Sequence, residues 1–142
     1  VARDLRRFPG VERASGDELW RHTCFEAFVR MRPGATYTEF NFAPSTQWAA
    51  YRFGDYRSGM TVASEIDAPH IEAQSNAASY KLQASLELDH LPDFPGEAPW
   101  RLGLSAVIEE TSGHISYWAL AHPSGQADFH HSDCFAVALP RA

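Results

Sequence analysis

Two runs of alternating residue character, Thr23 to Met31 and Thr36 to Ala43, flank the tetrapeptide Arg32-Pro33-Gly34-Ala35. Proline presets the backbone for the first central position of a tight turn, and glycine tolerates the conformation the second requires. The two runs should therefore close into a hairpin. Setting Arg32 against Ala35 places Arg30 opposite Tyr37, Phe28 opposite Glu39, Glu26 opposite Asn41 and Cys24 opposite Ala43. Side chains alternate between the faces of a strand, so Phe25, Ala27, Val29, Met31, Thr36, Thr38, Phe40 and Phe42 gather on one side. That side is the expected core. The other side collects Glu26, Phe28, Arg30, Tyr37, Glu39 and Asn41, too aromatic for a plain solvent face and too charged for a core. It reads either as a ligand surface or as an exposed face whose charges pair across strands.

The rest of the chain repeats the strand rhythm, with turn residues recurring every ~8 to 12 positions, the spacing of an all-β sandwich or barrel. Further strands are expected at Gln47 to Phe53, Gly59 to Glu65, Ser79 to Leu88, Trp100 to Glu110, His114 to His122 and Cys134 to Leu139. Pro69 to Ala78 suits an irregular strand or a helical turn, and Asp89 to Pro99, with three prolines, a loop. Tyr80, Leu82, Ala84, Leu86 and Leu88 form one packed face, and Trp100, Leu102, Leu104, Ala106 and Ile108 another, each backed by a wet face. Both sides of the His114 to His122 strand carry aromatics, and Trp118 is assigned to the core in preference to the site.

With 142 residues, 44% of them hydrophobic and 21% charged, the composition is that of one ordinary globular domain. Such a chain hides roughly 68% of its unfolded surface and needs neither metal nor disulfide to fold. The formal charge of -6 argues against nucleic acid, whose phosphates call for a basic surface. The one basic cluster, Arg3, Arg6 and Arg7, reads as a solvated terminus. No apolar run reaches the ~20 residues of a membrane-spanning helix. Cys24 and Cys134 could form one bridge, but both sit in apolar, strand-like surroundings, and two cysteines weakly favour a reducing, cytoplasmic compartment.

Four Trp, five Tyr and nine Phe supply many flat surfaces for stacking on sugar rings. The stretch from Trp48 through Tyr51, Asp55, Tyr56 and Arg57 to Met60 combines such platforms with planar polar groups, although Trp48 and Phe53 could equally pack the core. Glu26 and Glu39 fall diagonally on one face, roughly 7 Å apart at Cβ. That spacing meets the carboxylate separation of a glycoside hydrolase, a test that many acid pairs on neighbouring strands would pass. From His122 to Asp133 the chain concentrates three His and two Asp, and His122, Asp128 and His130 are weak candidates for a metal-assisted hydrolase. No standard ligand spacing appears, and a histidine pinning the loop through a hydrogen bond is the preferred role. Haem ligation would need a positioned Met and His, but Met31 falls on the core face and Met60 has no evident partner. The chain contains no GxSxG, GxGxxG, GxxxxGK[ST], HExxH or CxxC motif.

The run Leu19-Trp20-Arg21-His22-Thr23-Cys24-Phe25-Glu26-Ala27-Phe28, then Tyr37 to Ser45 and Trp48 to Tyr51, resembles the bacterial DOMON-like ligand-binding domains. Tyr117 to Pro123 and Asp128 through Phe135 look like the end of the same family, so the resemblance extends from Leu19 onward. It implies a two-sheet antiparallel β-sandwich similar to family-nine carbohydrate-binding modules and cytochrome-type DOMON domains. The wider superfamily binds sugars or haem on one sheet. Glu26 falls where the sugar-binding modules carry an acid on the hairpin, whereas the haem pattern finds no residue-by-residue match. Family members carry strand-like sequence before the Leu-Trp block where this chain has eighteen mostly polar residues, which suggests a fragment or a processed product. A missing edge strand would leave a sheet edge for a partner or for self-association.

The expectation is a lead-in over 1–18 and one sandwich domain over 19–142. The leading functional reading is a non-catalytic domain binding a small polar ligand, foremost a saccharide, on a concave sheet face, with no cofactor. Trp20, Trp48 and Tyr56 would stack on the ligand, Glu26, Glu39 and Asn41 would bond its hydroxyls, and Arg57 would fix an anionic or hydroxyl group. The metal-assisted hydrolase, a haem domain and a structural or protein-interaction module are the alternatives.

Overall fold

The computed structural model describes residues 16, 18–31, 34–95 and 99–140. Most of the expected 1–18 lead-in, with the cluster Arg3, Arg6 and Arg7, lies outside the described residues, as do Arg32 and Pro33 of the first turn. The architecture is all-β, with two antiparallel sheets. The strands are β1 (Cys24–Met31), β2 (Tyr37–Phe42), β3 (Trp48–Phe53), β4 (Thr61–Val62), β5 (His70–Ser75), β6 (Tyr80–Ser85), β7 (Trp100–Glu109), β8 (Ile115–Ala119) and β9 (Val137–Leu139). The larger sheet runs β4-β3-β2-β1-β7-β8, with β9 also on β7, and the smaller is the β5-β6 hairpin.

The first hairpin has the register expected from its turn: Glu26 pairs with Asn41, Phe28 with Glu39 and Arg30 with Tyr37. On one face of the large sheet Val29, Phe40, Phe42 and Ala50 are buried, with Phe25 and Ala27 packed beside them. The β5-β6 hairpin lies over that face and contributes Ile71, Leu82 and Ala84, while Phe94 and Leu91 close it from the following loop. This is the dry core, and its hydrophobic burial is the main stabilising contribution to the fold.

Several local expectations are corrected. The strand expected over Gly59 to Glu65 shortens to Thr61–Val62, because the chain turns after Ala63, with Ile66 N donating to Ala63 O at 3.2 Å, and buries Ile66 in the core. The doubtful Pro69 to Ala78 segment holds a regular strand, β5, which ends where Asn76 Oδ1 accepts from Ala78 N and Ser79 N at 2.8 Å each. Cys134 belongs to a 3-10 turn (Ser132–Cys134), leaving a last strand of Val137–Leu139. Both cysteines are buried free thiols.

Trp118, assigned to the core by sequence, is 63% exposed. It pairs with Ala106, whose other neighbour is Phe25, so it lies on the dry-core side of the sheet. The small hairpin covers β1 to β3 and the start of β7 without reaching the β8 edge. Leu104 and Leu120 are exposed near that edge for the same reason. The β7 face expected to be wet is covered instead, since Gly103, Val107 and Glu109 are buried.

Candidate ligand-binding site

The second face of the large sheet is covered by irregular chain. Leu120 N donates to Leu104 O at 3.1 Å, extending the β7-β8 ladder by one step, and the chain then leaves the edge of β7. It rejoins that edge as β9, opposite Trp100 to Leu102. Between these points it crosses the second face in short turns fixed by His131 N to Asp128 O (3.1 Å) and Cys134 N to His131 O (3.0 Å). Phe129 and Phe135 from this excursion are buried against Phe28, Tyr37, Phe53 and Val107 of the sheet. Contact is close at Gly103, where a Cβ would stand 2.8 Å from Cys134 O, and this accounts for a glycine inside a strand.

The covering chain roofs over acids. Glu26 and Glu39 are each 5% exposed and Asn41 is fully buried, all on the second face of β1 and β2. Ser105 Oγ donates to Glu26 Oε2 at 3.1 Å and Asn41 Nδ2 to Glu39 Oε1 at 2.9 Å. Burial, and then the charge of Glu39, push the Glu26 carboxyl up to about 8. Glu39 is also raised, chiefly by burial and against the Asn41 hydrogen bond.

His130 stands over the acids, edge-on to Phe28 (5.0 Å between ring centres) and Phe53 (5.1 Å). Its Nδ1 is 2.6 Å from the Tyr37 hydroxyl, which accepts from Arg57 N at 3.2 Å. His130 Nε2 faces Glu39 Oε2, 3.7 Å away. Burial, reinforced by Arg57, lowers His130 to about 4, so the ring is neutral at physiological pH. At the rim, Asp128 Oδ1 accepts from Arg57 Nη2 (2.8 Å) and Nε (3.1 Å), and Asp128 Oδ2 accepts from the Tyr56 hydroxyl. Burial alone would raise Asp128, but these bonds hold it below the usual carboxylate range. Arg57 has a left-handed backbone (φ 49°), a strain retained where the turn carries it to this clamp.

Beside these groups lies a half-open cavity of about 360 Å³, with Glu26, Glu39 and His130 among its lining. Trp20, Phe53, Tyr117 and Phe129 form aromatic walls, while Arg57 and Met60 lie toward the loop side. The 3-10 turn Leu19–Arg21 presents Trp20, braced edge-on against Tyr51 at 5.5 Å.

Of the residues selected by sequence, Trp20, Glu26, Glu39 and Arg57 line this one cavity, and Asn41 lies behind Glu39. Tyr56 stands across the clamp beside an adjoining hollow. Trp48 is on the opposite side of the sheet, packed against the dry core, because it pairs with Phe42 and shares its face. Its assignment as a stacking platform is therefore corrected. Among the weak metal candidates, Asp128 is engaged by Arg57 and His130 by Tyr37, while His122 is exposed with its ring 6.1 Å from that of Phe129. Among the described residues, no three His, Cys, Asp or Glu side chains are grouped so that they could hold a metal ion. No described helix is long and apolar enough to cross a membrane.

Sequence reasoning missed Phe53, Val107, Tyr117 and Phe129. Phe53 was within reach, because carrying the register through the Ala43 to Gln47 turn sets it opposite Tyr37. Val107 and Tyr117 depend on the β1-β7 and β7-β8 pairings, the first of which joins strands distant in the chain. In comparisons with known proteins, no family model, curated protein or solved structure matches this chain.

Proposed function

We propose that the protein is a non-catalytic ligand-binding domain and that its cavity on the second sheet face takes a small saccharide or glycan fragment. One observation carries the reading: two buried carboxyls converge on a cavity walled by Trp20, Phe53, Tyr117 and Phe129. Aromatic faces suit the apolar side of a sugar ring, and carboxyl oxygens accept from its hydroxyls. A volume of about 360 Å³ lies toward the small end of ordinary ligand cavities, a size for one or two rings. The likeness of the sequence to DOMON-like domains agrees with this choice.

Calorimetric titration against a panel of mono- and oligosaccharides tests it. Saturable binding to panel members, weakened about tenfold or more in Trp20→Ala and Tyr117→Ala, is expected. A flat response across the panel, or affinity unchanged in both variants, overturns it.

A further inference from the structure

The protein supplies few hydrogen-bond donors to the two acids on the cavity floor. Ser105 supplies one hydrogen bond to Glu26, and Asn41 one to Glu39. Each bond reaches a single oxygen of its carboxyl. Among the described residues, His130 Nε2 faces Glu39 Oε2 at 3.7 Å, too long for a hydrogen bond. The Asn41 Oδ1 also has no partner among the described residues, but Asn41 lies behind Glu39 and does not line the cavity. Carboxyl oxygens that line a cavity with no donor in reach mark a place where something else donates.

The missing component is also positive. Glu26 and Glu39 repel each other; Arg57, which offsets part of their charge, is shared with Asp128, and His130 is neutral. Other titratable groups around the pair include the Tyr37 hydroxyl and the Cys24 thiol, both raised by burial and uncharged at pH 7, and the Tyr117 hydroxyl on the cavity wall. A neutral hydroxyl would satisfy an acceptor but leave the charge of the pair uncompensated. An N–H-bearing cation does both, through charge-assisted hydrogen bonds in a desolvated site. The aromatic walls favour the same charge through their negative ring faces, and the net charge of -6 attracts it from solution.

We infer that the cavity selects a saccharide bearing a free, protonated amino group, which it seats against Glu26 and Glu39 while the sugar ring lies between the aromatic walls. This rests on the saccharide reading above and narrows it to amino sugars. On binding, the ammonium replaces the proton held by the acid pair, and that proton leaves to solvent.

The test is calorimetric titration at pH 7 with a free hexosamine, its N-acetyl derivative, the parent neutral hexose and benzylamine, each in two buffers of different ionisation enthalpy. The hexosamine should bind at least about tenfold more tightly than the N-acetyl derivative and the hexose, with net proton release. Glu26→Gln and Glu39→Gln should abolish that preference while retaining the wild-type circular dichroism spectrum. The wild-type comparison alone suffices if neither variant folds. Equal or tighter binding of the hexose or the N-acetyl sugar overturns the inference and leaves the saccharide reading standing. Benzylamine binding as well as the hexosamine supports the cation site and overturns the saccharide reading. Failure of both amines to bind overturns the inference, and hexosamine binding without proton release overturns the exchange at the acid pair.

Discussion

The two faces of the large sheet are built from the same strands and solve burial differently. One is covered by a regular hairpin, β5-β6, and buries an apolar cluster with no carboxyl among its buried residues. The other is covered by irregular chain and contains the buried carboxyls of Glu26, Glu39 and Glu109. A two-stranded hairpin with alternating side chains delivers a continuous apolar surface, leaving little room for polar groups. A run of turns leaves gaps, and here a gap opens over acids. The first face is organised for stability and the second retains unfavourable electrostatics, the combination expected where a protein gives up stability to keep a site.

The sharpest way to break this comparison is to damage each face separately. Phe40→Ala on the dry face empties a fully buried ring and should cost about 3 to 5 kcal/mol, read as a lowered urea midpoint with ligand-binding residues untouched. On the second face, the acids give the opposite sign. Because the folded protein holds the Glu26 proton up to about pH 8, it binds more protons than the unfolded chain between the ordinary carboxylate range and that value. The stabilisation linked to that proton is full at pH 4 and below and declines as the pH rises through about 8; Glu39 acts in the same direction. Denaturation between pH 5 and 8.5 should show stability falling by a few kcal/mol at most over this window, with the slope reduced in Glu26→Gln. A wild-type profile that is flat there, or an unaltered slope in the variant, would mean the acids are not buried as described.

The dry face was largely legible in the sequence because local rules determine it. Pro33-Gly34 fixed a register, and the register sorted Phe25, Val29, Phe40 and Phe42 onto one side without reference to the rest of the chain. The same argument placed Glu26, Glu39 and Asn41 together on the other side. What covers that side was not legible. The excursion from Leu120 to Ala136 has no periodicity, and its place is set by two separate pairings on the edge of β7. A face that read as open was therefore a roofed cavity, and His130, read as pinning a loop or weakly as a metal ligand, stands over the acids. Trp48 failed for a different reason: its neighbours in sequence looked like a binding loop, whereas its parity with Phe42 puts it on the other side of the sheet.

Smaller perturbations sharpen the comparison by acting on the covering chain alone. Gly103→Ala sets a methyl group 2.8 Å from Cys134 O, a backbone atom that moves only with the turn carrying it. The expected loss is about 1 to 3 kcal/mol, with faster amide hydrogen exchange at Cys134 than at Phe40. Gly54→Ala, whose added methyl would meet nothing within 4 Å, is the matched control and should leave exchange at Cys134 unchanged.

The weakest expected effect on stability is that of Asp128→Asn. Asp128 ties the turn of Tyr56 and Arg57 to the covering chain, and its Oδ1 also accepts from His130 N at 3.2 Å. Arg57 is half exposed, so solvent screens the ion pair, and its loss should cost no more than about 1 kcal/mol. The change in charge within the cavity should be more visible than the change in stability. Freed from Asp128, the Arg57 guanidinium can turn toward Glu26 and Glu39, whose charges it already favours. The Glu26 titration seen by carboxyl-resolved NMR should then move down from about 8, while the thermal midpoint stays within a few degrees of wild type. Were the midpoint to collapse instead, the clamp would be holding the covering chain in place, and the second face would depend on its rim rather than on Phe129 and Phe135.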